Sequence, residues 1–121
     1  MSASPRDVLP LKDLVFRILV TLAEGERHGA DLARALEDAA PGARVLPGHL
    51  YRTIDRMLDD GLIVESDAPS SPPPARTMRG AAPTRFFQLT PFGRAVARAE
   101  TDRLAALIAR SRAARLLRGR R

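Results

Sequence analysis

Leu11, Leu14, Val15, Ile18, Leu19 and Leu22 recur at three- and four-residue intervals, the spacing that lines one face of an α-helix. Pro10 precedes this run and Gly25 follows it, which bounds a first helix at about 11–24. Glu26-Arg27-His28-Gly29 reads as a turn. Ala30 to Ala39 then carries Leu32 and Leu36 among alanines, a second helix ended by Pro41-Gly42. A third helix follows Pro47-Gly48, with Leu50, Ile54, Met57 and Leu58 on one face and a close at Asp60. Gly61 suits the left-handed position just past a helix end.

Leu62-Ile63-Val64-Glu65 and Arg85-Phe86-Phe87-Gln88-Leu89 are short β-prone runs. The stretch between them, Ser66 to Thr84, holds five prolines and cannot pair as a strand. The two runs therefore form a hairpin whose long tip spans 67–83. Thr90-Pro91 opens a last helix, with Thr as cap and Pro at the first helical position, reaching about Leu117.

Three helices, two strands and a helix predict a mostly α (α+β) chain: a winged helix-turn-helix with a long C-terminal dimerisation helix. Residues 1–10 form a disordered tail, 11–90 the winged domain, 91–118 the dimerisation helix and 119–121 a short tail. The last helix would be ~40 Å long, too long to bury its apolar stripe on one small core. Val96, Leu104, Leu107 and Ile108 are its candidate dimer-forming positions, and the same helix of a second copy is the simplest partner. The other reading folds this helix back on its own domain. Its last stretch carries Arg at 110, 112, 115, 118, 120 and 121, placed either to reach phosphates or to form a solvated tail.

Charge changes the picture of the partner. Residues 1–67 hold eight basic and twelve acidic side chains, whereas residues 68–121 hold twelve basic and two acidic ones. A basic half fits an anionic partner, nucleic acid or a membrane surface. Arginines on every side of the last helix, instead of one face, argue against the membrane. With its core stripe turned inward, the third helix leaves His49, Arg52, Thr53 and Arg56 on the opposite face. Arg pairs bidentately with guanine, and Thr meets a thymine methyl or a phosphate. Asp59 and Asp60 would repel phosphate at the far end, so the first two turns should enter the major groove. The alternative is a solvated face in which Arg52 and Arg56 pair with Asp55, Asp59 and Asp60.

Catalytic and metal chemistry find little support. The chain has no cysteine and two histidines, which leaves no metal constellation and no cofactor to expect. His28 reads as a turn residue. GxxxxGK, HExxH and GxSxG are absent, so no enzymatic activity is expected. The first ten residues lack the apolar run of a signal peptide, and no stretch approaches the ~20 apolar residues of a membrane span; a cytoplasmic protein is expected.

Four segments carry a further signal. Leu22-Ala23-Glu24-Gly25-Glu26-Arg27-His28-Gly29-Ala30-Asp31-Leu32 resembles the junction of the first two helices in PadR-type regulators. Pro47-Gly48-His49-Leu50-Tyr51-Arg52 resembles their Gly-x-Leu-Tyr recognition-helix start. Asp59-Asp60-Gly61-Leu62-Ile63 resembles their Gly-Leu-Ile entry into the wing. Phe86-Phe87-Gln88-Leu89-Thr90-Pro91-Phe92-Gly93-Arg94 resembles their Leu-Thr-x-x-Gly-Arg exit. The ordered set spans about residues 11–105. Leu46 stands where a Ser or Thr cap is usual, His49 replaces a small hydroxyl residue, and 67–83 is longer and richer in proline than a compact wing.

The resemblance implies a bacterial transcriptional regulator, usually a homodimeric repressor on a near-palindromic operator of double-stranded DNA. It implies that Tyr51 contacts the DNA backbone, that His49, Arg52 and Thr53 lie where bases and phosphates are met, and that Arg85 holds the wing near the minor groove or a phosphate. It also implies a small-molecule effector of unknown identity, although the absence of Trp weakens an aromatic-drug pocket. A winged-helix protein-interaction module without specific DNA binding is the alternative, and the net-negative first half suits it.

Overall fold

The computed structural model describes residues 4–25, 27–39, 45–66 and 86–116. Its elements are a 3-10 turn at Pro5–Val8, α1 (Asp13–Glu24), β1 (Arg27–His28), α2 (Gly29–Ala39), α3 (Pro47–Asp59), β2 (Ile63–Ser66), β3 (Phe86–Leu89) and α4 (Pro91–Ala113). The winged helix-turn-helix expected from the sequence is the fold observed.

α1 packs against α2, α4 and β3 and touches α3. Ile18 and Leu19 are fully buried at its centre. Leu32 and Leu36 from α2, Leu50, Ile54 and Met57 from α3, Phe87 from β3 and Val96 from α4 complete one core. Aliphatic side chains supply nearly all of it, as the scarcity of aromatics requires.

β2 and β3 pair antiparallel, with Ile63 opposite Leu89 and Ser66 opposite Phe86. The hairpin is not the whole sheet. Arg27–His28, read above as a turn, adds β1 to the other edge of β3, with Arg27 opposite Phe87, in the order β1-β3-β2. This short strand satisfies backbone groups that β3 would otherwise present at an open edge. The expected wing tip, 67–83, lies outside the described residues.

α3 ends as its sequence predicts. Gly61 takes φ +78°, its N–H donates to the Leu58 carbonyl at 3.1 Å, and the Leu62 N–H donates to the Met57 carbonyl at 3.0 Å. These are the two bonds of a Schellman motif, with glycine at the left-handed position. α4 closes at Ala113, earlier than the expected 118, as Leu116 N–H turns back to the Ser111 carbonyl at 2.8 Å.

The expected disordered tail of residues 1–10 is corrected over residues 4–10. Ser4 and Asp7 form a reciprocal capping box around the 3-10 turn. Val8, Leu9 and Leu11 then pack against the core. The anchor on α4 is Glu100, 2% exposed. One carboxylate oxygen accepts the Leu11 N–H at 3.2 Å, and the carboxylate also takes two bonds from Arg103, at 2.7 and 2.9 Å. Residues 1–3 lie outside the described residues.

The Arg103 hydrogen bonds hold the Glu100 carboxyl below the usual glutamate range; burial opposes them, and the Leu11 N–H and the Arg103 charge add to them. A carboxylate with a lowered folded pKa stabilises the fold above its unfolded pKa, and that stabilisation is lost as pH falls through the folded value. Glu100→Gln is therefore expected to be less stable than wild type near neutrality. The gap should close on acidification below the usual value of 4.5. Urea melts between about pH 7 and about pH 3 check this, and a gap that stays constant would show that the charge is not what matters.

Candidate nucleic-acid interface

α3 is amphipathic in the sense the interface needs. Leu50, Ile54 and Met57 are at most 1% exposed, and Leu58 is half-buried against the same core. His49, Arg52 and Arg56 are exposed on the other side, with Thr53 half-buried between them. The structure thus brings four of the predicted residues together on one outer face. Tyr51 is half-buried and packs against the core, so its ring takes part in seating the helix.

Two details refine the chemistry. The Thr53 hydroxyl donates to the His49 carbonyl at 2.9 Å; in this rotamer its remaining capacity is as an acceptor and through its methyl. Among the described residues, neither Arg52 nor Arg56 forms an ion pair. The pairs with Asp55, Asp59 and Asp60 are thus not formed, and both guanidiniums stand exposed.

The amino end of α3 also suits an anion. Leu46 occupies the cap position without a side-chain hydrogen bond and is 64% exposed. Pro47 supplies the first helical position, and no acidic residue lies in the first turn. Glu37 of α2 accepts the Val45 N–H at 3.2 Å just before the helix, and no side-chain cap bond is made at Leu46 itself, where the helix dipole favours an anion. Asp59 and Asp60 are exposed at the opposite end. Arg85, expected at the wing, lies outside the described residues, immediately before β3.

The predicted dimer-forming set divides. Val96 is fully buried in the core of its own chain and is corrected to a core residue, because the first turns of α4 pack on α1 and β3. Leu104 is half-buried, whereas Leu107 and Ile108 are 42% and 47% exposed. Among the described residues no cluster of three or more His, Asp or Glu is placed to hold a metal ion, and no helix is long and apolar enough to cross a membrane.

Sequence reasoning missed two polar side chains that organise the surroundings of this face. One is Glu100, described above. The other is Thr90, expected only as a helix cap. Its hydroxyl accepts the Gly93 N–H at 2.9 Å and donates to the Gly61 carbonyl at 2.6 Å, just past the end of α3.

A buried stripe on the third helix, an exposed basic face behind it and a β-hairpin at its side define a winged helix-turn-helix of the transcriptional-regulator class. The sequence profile of the transcriptional regulator PadR-like family matches residues 18–99, and the chain belongs to that family. It is 40% identical over 78 residues to the transcriptional regulator Rv3488 of Mycobacterium tuberculosis (strain ATCC 25618 / H37Rv), a match covering 64% of this chain and 63% of that protein. The matched segment therefore spans less than two thirds of that relative's length.

Solved structures share the fold. H. salinarum RosR superposes with a TM-score of 0.59 at 24% identity, over 89% of this chain and 99% of that one. Bacillus subtilis PadR in complex with operator DNA superposes with a TM-score of 0.57 at 20% identity, over 78% of this chain and 48% of that one.

The site geometry makes Arg52 the informative substitution. Arg52→Ala should cost about 1–3 kcal/mol of affinity for a selected DNA site and relax the base preference at one position per half-site. Competition binding with single-base variants checks it, and unchanged affinity and preference would remove Arg52 from the contacts.

Proposed function

We propose that this protein is a cytoplasmic, homodimeric transcriptional repressor that reads a near-palindromic operator with α3. One observation carries the proposal: Arg52 and Arg56 stand exposed and unpaired among the described residues, on the outer face of a helix whose other face buries Leu50, Ile54 and Met57. His49 and Thr53 complete that face, and Tyr51 fixes its start. Family membership supports regulation over catalysis. The operator-bound B. subtilis PadR structure supports duplex DNA as the ligand class.

Dimerisation rests on the far half of α4. Leu107 and Ile108 leave a large part of their apolar surface in water, and burying it against a second copy recovers about 25 cal/mol for each Å² removed from water. Two copies joined there present two recognition helices, and a symmetric protein reads a symmetric site, with half-site centres about 34 Å apart.

Selection of bound fragments from random duplex DNA with the purified protein tests the function directly; enrichment of one near-palindromic sequence is expected. Its affinity should fall steeply with salt, since each Arg–phosphate contact releases counterions. Affinity that stays flat across a tenfold salt range would overturn the DNA reading in favour of a protein-interaction module. Leu107→Glu should yield monomers in sedimentation and weaken binding to the two-half-site operator. An intact Leu107→Glu dimer would place the interface elsewhere.

A further inference from the structure

Leu62 and Gly93 approach each other at backbone level, with no side chain between them. A Cβ at Gly93 would overlap the Leu62 carbonyl oxygen and lie 2.8 Å from its carbonyl carbon. Thr90 fastens the same contact. Its backbone N–H donates to the Leu62 carbonyl at 3.2 Å. Its hydroxyl donates to the Gly61 carbonyl at 2.6 Å, with the Leu62 carbonyl 3.1 Å away, and accepts the Gly93 N–H at 2.9 Å. Gly61 and Leu62 are in turn the two residues whose N–H groups close the end of α3. The carboxyl end of α3 and the amino end of α4 are thereby joined through backbone carbonyls and one hydroxyl.

We propose that Thr90 and Gly93 are positioning residues for DNA recognition: they lock the angle between α3 and α4 and so set the half-site spacing that the dimer accepts. This rests on the regulator reading above. Side chains packed between two helices can change rotamer and absorb a change of angle; a carbonyl seated against a glycine backbone cannot. Residues 104–108 lie about 20 Å along α4 from Gly93. A change of about 10° at the joint displaces that end by about 3.5 Å, close to one base-pair step of about 3.4 Å along a strand. A small loosening at Thr90 therefore becomes a change of register on the operator.

Two readouts test the joint. The chain has no cysteine, so Asp59→Cys and Ala106→Cys, both at exposed positions, accept a pair of spin labels on α3 and α4. Diluted in excess unlabelled protein, the pair reports a distance within one chain that depends on neither DNA nor dimerisation. A narrow distribution is expected with Thr90 and with Thr90→Ser, which keeps the hydroxyl. Thr90→Val should broaden it or displace its centre by about 3 Å.

The second readout is selection from a library of paired half-sites separated by spacers of different length. Wild type and Thr90→Ser should enrich one spacing, and Thr90→Val a shifted or mixed set while remaining folded and dimeric. Gly93→Ala should behave as Thr90→Val or more severely, and Thr90→Val carries the test if Gly93→Ala does not fold. A folded Thr90→Val with unchanged distance and unchanged spacing overturns the joint alone. Wild-type protein that enriches no DNA overturns the regulator reading instead.

Discussion

Everything the outer face of α3 does depends on the seating of its inner face. Leu50, Ile54 and Met57 are buried almost completely, and full burial of such side chains contributes about 1.5–3 kcal/mol each. The helix has no side-chain cap at its start, a loss of about 1 kcal/mol. The stripe therefore outweighs the missing cap several times over, and it fixes the rotation of α3 about its own axis. Which side chains face outward follows from that rotation. Arg52 and Arg56 stand in water because their neighbours at helical spacing cannot.

Polar groups settle what the apolar stripe leaves open. A greasy contact tolerates sliding, since its attraction is non-directional. Hydrogen bonds to particular carbonyls do not. Among the described residues two polar side chains tie α4 to other segments: its cap Thr90 to the turn after α3, and Glu100 to the N-terminal segment through Leu11. α4 is thus the element against which the recognition helix and the segment ending at Leu11 are both referenced. A buried carboxylate is costly to desolvate, and Glu100 meets that cost with two bonds from Arg103 and one from a backbone N–H.

How much of this was legible depends on the kind of signal. The stripe of α3 and its end at Gly61 were readable because a helical period and a left-handed glycine each leave a local mark. The burial of Glu100 is not an expectation its residue type raises, because an isolated glutamate is normally solvated. Yet it stands four residues from both Val96 and Leu104, so it lies on the apolar face, and that spacing was the available clue. Val96 is hard to place for a different reason: a continuous stripe does not mark where the chain's own core stops covering it. The N-terminal segment carried Ser4-x-x-Asp7, a capping pattern hidden by the polar look of the stretch. β1 is two residues long, too short for any period to show. The outer face of α3 was legible as a set, whereas the role of each member depends on a DNA sequence that the protein sequence does not contain.

The change of face along α4 is itself instructive. Val96 and Ala97 are covered by the core and Glu100 by the N-terminal segment and Arg103, whereas Leu107 and Ile108 are left 42% and 47% exposed. The polar anchor sits at the boundary between what the chain covers itself and what it leaves open. Any second chain that lies along α4 meets the partly exposed Arg103 guanidinium, 37% accessible, at one end of the apolar stretch. Sliding toward the amino end would bury that charge against apolar surface, which is costly. In the proposed dimer, the Arg103 partner of the carboxylate that takes the Leu11 N–H would therefore limit how far a partner helix can shift, leaving the stripe beyond residue 103 as the surface on which two copies would find one register.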